Sequence, residues 1–182
     1  HKMEVIRHEF VRILVSLIQN CHKRHHIFKQ LHLLCNSDEE LDFWANIRHI
    51  QIHKRTKALK RLSKDEKLIS TISVSLISSI LLPLANQFLD DERIQKDNIL
   101  AGEVIDSIGG FCSYLPWIKY SNFLKFYLKL LVKKLDHKLV VKVIISILNN
   151  FNFNLSSLTN DSKKNSKKNQ LKLKSVTKVK ST

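Results

Sequence analysis

The chain has 182 residues and is strongly basic, with 31 Lys and Arg residues against 16 Asp and Glu residues and a net charge of +15. A hydrophobic content of 43% supports one packed domain, and only three Gly and two Pro residues argue against a turn-rich β protein. The positive charge implies a polyanionic neighbour, which is nucleic acid, an acidic protein or an anionic membrane surface.

The beginning of the chain predicts two amphipathic helices. In the first, which we expect to end near Asn20, six apolar residues recur at helical spacing: Met3, Ile6, Phe10, Ile13, Leu14 and Leu17. The second spans about residues 24–34 and directs Phe28, Leu31 and Leu34 inward. A loop then leads into a predicted capping box, with Ser37 as the N-cap and Glu40 at N3, at the start of a helix that holds Leu41, Trp44 and Ile47.

The next segment predicts a helix from Ile52 to Lys64 with two contrasting faces. Its cations fall within one arc of about a third of the helical circumference: Lys54, Lys57, Lys60, Arg61 and Lys64. Four less polar residues lie opposite: Ile52, Thr56, Leu59 and Leu62. No acidic residue occurs from Phe43 to Lys64. We therefore expect one face to dock on a core and the other to present positive charge, either to a ligand or simply to solvent.

The segment from Leu68 to Leu89 contains no charged residue and resembles a membrane span in its hydropathy. Hydroxyl side chains nevertheless gather on one side of the helical wheel, opposite an apolar side formed by Ile69, Leu76, Ile77 and Ile80. Pro83 would also interrupt a span. We therefore expect a buried helix to about Leu82 and a shorter helix to Leu89, with the membrane span as the less favoured alternative.

Three further helices are predicted towards the C-terminus. The first runs from an Asn98 cap to about Tyr114, with its inward residues at Ile99, Val104, Ile105, Ile108 and Phe111. Gly109 and Gly110 would let a neighbouring helix approach it closely. Pro116 opens the second, with a stripe of Tyr120, Phe123, Leu124, Tyr127 and Leu131. The third begins at Asp136 and carries Leu139, Val143, Ile144 and Leu148.

These elements predict an all-α fold of about eight helices joined by short loops. Helix pairs recur at a spacing close to the HEAT or armadillo period of about 40 residues, which favours an α-solenoid of antiparallel pairs over residues 1–160, with a compact bundle as the alternative. Residues 161–182 form a Lys-rich tail that we expect to be disordered. The tail either binds a polyanion diffusely or only solubilises the chain.

Sequence patterns for catalysis or metal binding are missing. The run of Cys21, His22, His25 and His26 is followed by a lone Cys35, whereas a zinc finger supplies paired ligands at both ends of its spacer. Ile50 follows His49 where a zincin helix carries Glu, so the His49 and His53 pair does not match that motif. We expect neither an enzyme nor a bound metal, cofactor or small-molecule substrate.

The cysteines and the first residue bear on the origin of the chain. Cys21, Cys35 and Cys112 show no disulfide framework spacing, as expected of a reduced compartment such as the cytosol or nucleus. The chain begins with His1 and shows no secretory signal. We therefore expect it to be a fragment of a longer protein.

Three stretches resemble, in the same order, the large HEAT-repeat component of the small-subunit processome, a family also called down-regulated in metastasis. They are DFWANIRHIQIHKRTKAL from Asp42, LPLA from Leu82 and LPW from Leu115. The resemblance implies HEAT repeats and a non-catalytic scaffold role in pre-rRNA processing. It also implies a nuclear location, in the nucleolus. It also implies pre-rRNA or small nucleolar RNA and preribosomal proteins as partners, and no membrane.

The candidate site is the basic helix. Its five cations, together with His49 and His53, suit binding of RNA phosphates more than reading of bases. The alternative is an α-solenoid adaptor whose positive face docks an acidic protein.

Overall fold

A computed structural model describes residues 2–133 and 138–153, and these residues form helices and turns without a β-strand. The helices are α1 (Lys2–Cys21), α2 (His26–His32), α3 (Phe43–Arg48), α4 (Ile52–Lys64), α5 (Glu66–Ile69), α6 (Val74–Leu76), α7 (Leu82–Phe88), α8 (Glu92–Lys96), α9 (Asn98–Cys112), α10 (Trp117–Lys133) and α11 (Lys138–Asn149). A π-helical turn, Ile77–Leu81, joins α6 to α7. The predicted all-α class is confirmed. Asp136 and the Lys-rich tail lie outside the described residues.

The helix contacts join both consecutive helices and helices further apart in the chain. α1 contacts α2 and α3, α3 contacts α4, and α4 packs along α9. α9 in turn packs along α11, while α7 covers α9 and α10 covers α11. The described residues up to Phe151 belong to one compact unit. This succession of helix pairs is compatible with the predicted α-solenoid.

Gly109 and Gly110 explain how α9 packs between two helices. A Cβ atom on Gly109 would lie 2.8 Å from the carbonyl oxygen of Ser146 in α11. A Cβ atom on Gly110 would lie 3.1 Å from the carbonyl oxygen of Ser63 in α4. Both contacts involve backbone that cannot rotate away, so the predicted close approach at these glycines is confirmed.

The apolar side of the uncharged segment is largely buried, but its first part does not form the single helix to about Leu82 that was predicted. Ile69, Leu76 and Ile77 are buried and Ile80 is half-buried. However, α5 ends at Ile69 and a turn separates it from α6. In that turn the Thr71 hydroxyl donates to the Leu68 carbonyl, a local bond that competes with helix propagation. The π-helical turn precedes Pro83, which has no N–H for the regular bond. In the described part of the chain, no helix has both the length and the apolarity that a membrane crossing requires.

The face of α1 that packs on the protein differs from the apolar repeat seen in the sequence. Ile6, Phe10, Ile13 and Leu17 are 61%, 51%, 56% and 41% exposed. Leu14 of the predicted repeat is buried, and it shares the buried face with Val11, Val15 and Ile18. The inward position predicted for Ile99 is also wrong, because its side chain is exposed. Val104, Ile105, Ile108 and Phe111 are buried as predicted.

Carboxylates cap the helices where the sequence suggested other residues. Asp42, not Ser37, caps α3 by accepting the Ala45 N–H. Glu40 therefore lies in the preceding loop. Similarly, Asp97 caps α9 through the N–H groups of Ile99 and Leu100, one residue before the predicted Asn98. An aspartate at the N-cap also interacts favourably with the positive end of the helix dipole.

Candidate nucleic-acid interface

The bounds of α4 are those predicted, and its buried side fixes which residues face outward. Ala58, Leu59 and Leu62 are buried on this side, where α4 packs against α3 and α9. Thr56 is also buried, and its hydroxyl donates to a carboxylate oxygen of Glu103 in α9 at 2.6 Å. This bond satisfies a polar group that would otherwise destabilise the interface. The opposite side, which carries the cations, is consequently turned outward.

The five predicted cations share this outward side, but they are not equivalent. Lys57 and Lys64 are exposed and Lys54 is half-buried, and none of the three has an ion pair within the described residues. Lys60 lies 3.8 Å from a carboxylate oxygen of Asp106 in α9. The guanidinium of Arg61 donates to the carbonyl oxygens of Glu40 and Leu41, at 2.8 and 2.9 Å. Three ammonium groups therefore remain for an external anion.

The two histidines of the predicted site have different surroundings. His53 is exposed, and at helical spacing it is followed on the same side by Lys57, Lys60 and Lys64. His49 is half-buried, and its Nδ1 accepts the N–H of Gln51 at 3.0 Å, which places it in the turn before α4. His53 is consequently the histidine that extends the cationic surface.

Arg55 is the one cation of α4 whose side chain is buried. Its side chain is buried, and its Nε donates to the carbonyl oxygen of His49. On the helical wheel it falls between Leu59 and Leu62, so its angular position already separates it from the outward cations. The bond ties the turn at His49 to the first part of the helix.

A small crevice of about 180 Å³ lies beside the cationic surface, between the end of α2, the loop before α3, and α4. Its walls are mostly apolar and include Leu34, Phe43 and Leu62, with Arg61 and Asp65 as the charged groups. Leu33 and Leu41 also line it and are each 50% exposed. The crevice is thus suited to an apolar side chain from a partner.

The cysteines and histidines do not assemble into a metal centre within residues 2–133 and 138–153. His22 instead stacks on His32, with ring centroids 4.1 Å apart. Burial raises the pKa of the Cys35 thiol, and the nearby Asp42 carboxylate raises it further. Burial alone raises the pKa of Cys112 to about 12. Both thiols therefore favour the neutral form, which is a poor metal ligand and nucleophile.

The chain matches no protein-family profile. It is similar to U3 small nucleolar RNA-associated protein 20 of Saccharomyces cerevisiae, with 31% identity over 128 residues that make up 69% of this chain. It is also similar to the Schizosaccharomyces pombe protein of the same name, with 36% identity over 129 residues, or 70% of this chain. The match covers only 5% of the length of either relative.

Proposed function

Because this chain belongs to the family of U3 small nucleolar RNA-associated protein 20, we propose that it is a non-catalytic scaffold segment of the nucleolar small-subunit processome. In this role it binds RNA and preribosomal proteins during pre-rRNA processing. The observation that carries the RNA contact is the outward side of α4, where Lys54, Lys57 and Lys64 are left without an internal ion pair in the described structure.

The proposed contact is electrostatic and independent of RNA sequence. Lysine ammonium groups neutralise phosphates and release the counterions condensed on the RNA, so that the affinity falls as salt rises. The slope for a single strand is about 0.7 per phosphate contacted. The outward side of α4 carries no Phe, Tyr or Trp ring on which a base could stack. We therefore expect similar affinities for unrelated RNA sequences.

The test is a double substitution, Lys57→Gln with Lys64→Gln. Both side chains are exposed, so the free energy of unfolding should stay within about 0.5 kcal/mol of the wild type. Arg61 is left intact because its guanidinium holds the Glu40 and Leu41 carbonyls. Affinity for several unrelated single-stranded RNAs should fall alike, and the salt slope should decrease by about 1.4, the value for two lost contacts. The measurement is a salt titration by fluorescence anisotropy.

A matched control separates the α4 contact from net charge. Lys23→Gln with Lys96→Gln removes the same charge from exposed positions outside α4 and should leave the slope close to the wild-type value. The titration is run on the full chain and on a chain shortened to residues 1–160, because the Lys-rich tail itself attracts RNA. Equal slopes for the two double variants in the shortened chain would remove α4 as the RNA contact.

The crevice beside α4 supports a second candidate function, that of an adaptor for an acidic protein. An apolar side chain of the partner would enter between Leu33 and Leu41, while its carboxylates would meet Lys57 and Lys64. Leu41→Ser tests this candidate, since it shortens the apolar rim without changing charge. Weaker binding of an acidic, Leu-containing peptide together with unchanged RNA binding would favour the adaptor.

A further inference from the structure

A second row of cations lies on α10. Lys125, Lys129 and Lys133 follow one another at intervals of four residues, so their side chains share one side of the helix. All three are exposed and have no ion pair among the described residues. Unlike Arg61 of α4, none of the three donates a hydrogen bond to a described carbonyl. Within the described part of the chain, the α10 row is therefore available to an external anion.

An aromatic side chain borders the α10 row. Phe126 is 47% exposed, and on the helical wheel it lies next to Lys129 and Lys133. Its inner edge contacts the ring of the buried Tyr127, with ring centroids 5.3 Å apart and nearly perpendicular. The ring is thus held in position by the core while part of it faces outward.

Phe126 also forms one wall of a cavity of about 300 Å³ between α7, α8, α10 and α11. This volume is at the lower end of the range of small-ligand pockets, about 300–1,000 Å³. Most of the lining is apolar, with Leu89, Leu130, Leu139, Val140 and Val143 beside the two aromatic residues. The polar lining consists of Asn86, Asp90 and Gln95. The cavity therefore offers a flat apolar wall and a few polar groups to one small planar ligand.

The polar groups of the cavity retain unused hydrogen-bonding capacity. The amide oxygen of Asn86 accepts the Tyr127 hydroxyl, which leaves its NH₂ group as a donor. The Gln95 NH₂ donates to the Leu89 carbonyl at 2.6 Å, which leaves its amide oxygen as an acceptor. The exposed Asp90 carboxylate adds further acceptors. Both donors and acceptors are consequently present, as the edge of a nucleobase requires.

We propose that α10 and this cavity form a second RNA contact, distinct from α4, that binds a single-stranded segment through both phosphates and one base. Lys125, Lys129 and Lys133 contact successive phosphates, and one unstacked base enters the cavity against Phe126. An acidic peptide would bind the three lysines equally well. It has no planar ring to stack on Phe126 beside the Asn86 and Gln95 amides, whereas a nucleobase does. Unlike α4, this contact includes base stacking and is not purely electrostatic.

The experiment is photo-crosslinking of the full chain to single-stranded RNA that contains 4-thiouridine, with the crosslinked residues mapped by mass spectrometry. We expect a crosslink at Phe126 or Tyr127. Phe126→Leu should reduce the yield at this position at least about fivefold, the loss that corresponds to one base stack. Phe10→Leu, which changes a similarly exposed Phe on α1, should leave the yield unchanged. Equal yields in the two variants would overturn the proposal.

Further measurements separate a lost RNA contact from misfolding and from binding of an acidic protein. Lys125→Gln with Lys129→Gln changes only exposed side chains and should lower the same crosslink even if Phe126→Leu perturbs folding. Polyglutamate and unlabelled RNA are also compared as competitors of the crosslink. If polyglutamate competes as well as RNA does, and Phe126→Leu does not change this, the surface binds an acidic protein and not RNA. Lys57→Gln with Lys64→Gln should leave the α10 crosslink in place, so this inference and the α4 contact fail separately.

Discussion

α4 and α1 are both amphipathic helices, yet only in α4 did the sequence pattern indicate the correct buried face. In α4 the expected residues Thr56, Leu59 and Leu62 are buried, and the cations opposite them are turned outward. In α1 four residues of the predicted repeat, Ile6, Phe10, Ile13 and Leu17, are exposed, and the helix packs through a neighbouring face that includes Leu14.

The difference arises from how much of each helix is apolar. The cations of α4 cover about a third of its circumference and cannot be buried without partners, so only one orientation is possible. The apolar residues of α1 cover more than half of its circumference, from Ile13 through Leu14 to Val15. Periodicity then permits several orientations. The charged residues of an amphipathic helix therefore specify its orientation more strictly than its apolar residues do.

The largest expected effect concerns the buried side of α4. Leu59 is fully buried, so Leu59→Ala should lower the free energy of unfolding by about 2–5 kcal/mol through lost burial and a cavity. Chemical denaturation followed by circular dichroism measures this change. Lys57→Gln, on the opposite side of the same helix, serves as the control and should have little effect. A loss below 1 kcal/mol for Leu59→Ala would contradict the docking of α4.

An intermediate loss of stability is expected at Arg61, whose outward side chain contacts protein as well as solvent. Arg61→Gln removes the guanidinium that holds the carbonyls of Glu40 and Leu41. Because the side chain is exposed, the expected loss is about 1 kcal/mol, less than for a buried charged hydrogen bond. Arg61→Lys keeps the charge but lacks the planar fork and should recover only part of the loss. Equal stability of the wild type and both variants would show that the two bonds contribute nothing.

The smallest effect is expected on the exposed side of α1, and it tests the comparison most directly. Ile13→Ala should change the free energy of unfolding by no more than about 0.5 kcal/mol, because its side chain is already exposed. Ile18→Ala, the matched change on the buried face, should cost about 2–5 kcal/mol. Thermal unfolding of the two variants gives this ranking. A larger loss of stability for Ile13→Ala than for Ile18→Ala would show that α1 packs through the face that the sequence repeat predicted.

The sequence by itself determined the helical class, the bounds and outward side of α4, and the close helix contacts at Gly109 and Gly110. These features depend on local periodicity, on the solvation of charge and on the missing glycine side chain. The sequence also carried the family resemblance that the two relatives confirm. It did not reveal the caps at Asp42 and Asp97, because several neighbouring polar residues satisfy the same capping pattern.

Only the tertiary structure decided which cations of α4 remain available. Asp106 reaches Lys60 from α9, and the loop before α3 occupies Arg61 with its carbonyls. The same holds for the cavity beside Phe126, whose polar lining comes from α7 and α8 and the turn between them. Such partners are distant in sequence and meet only because the helices stack. Local patterns specify what each helix can present, whereas packing decides what remains for a ligand.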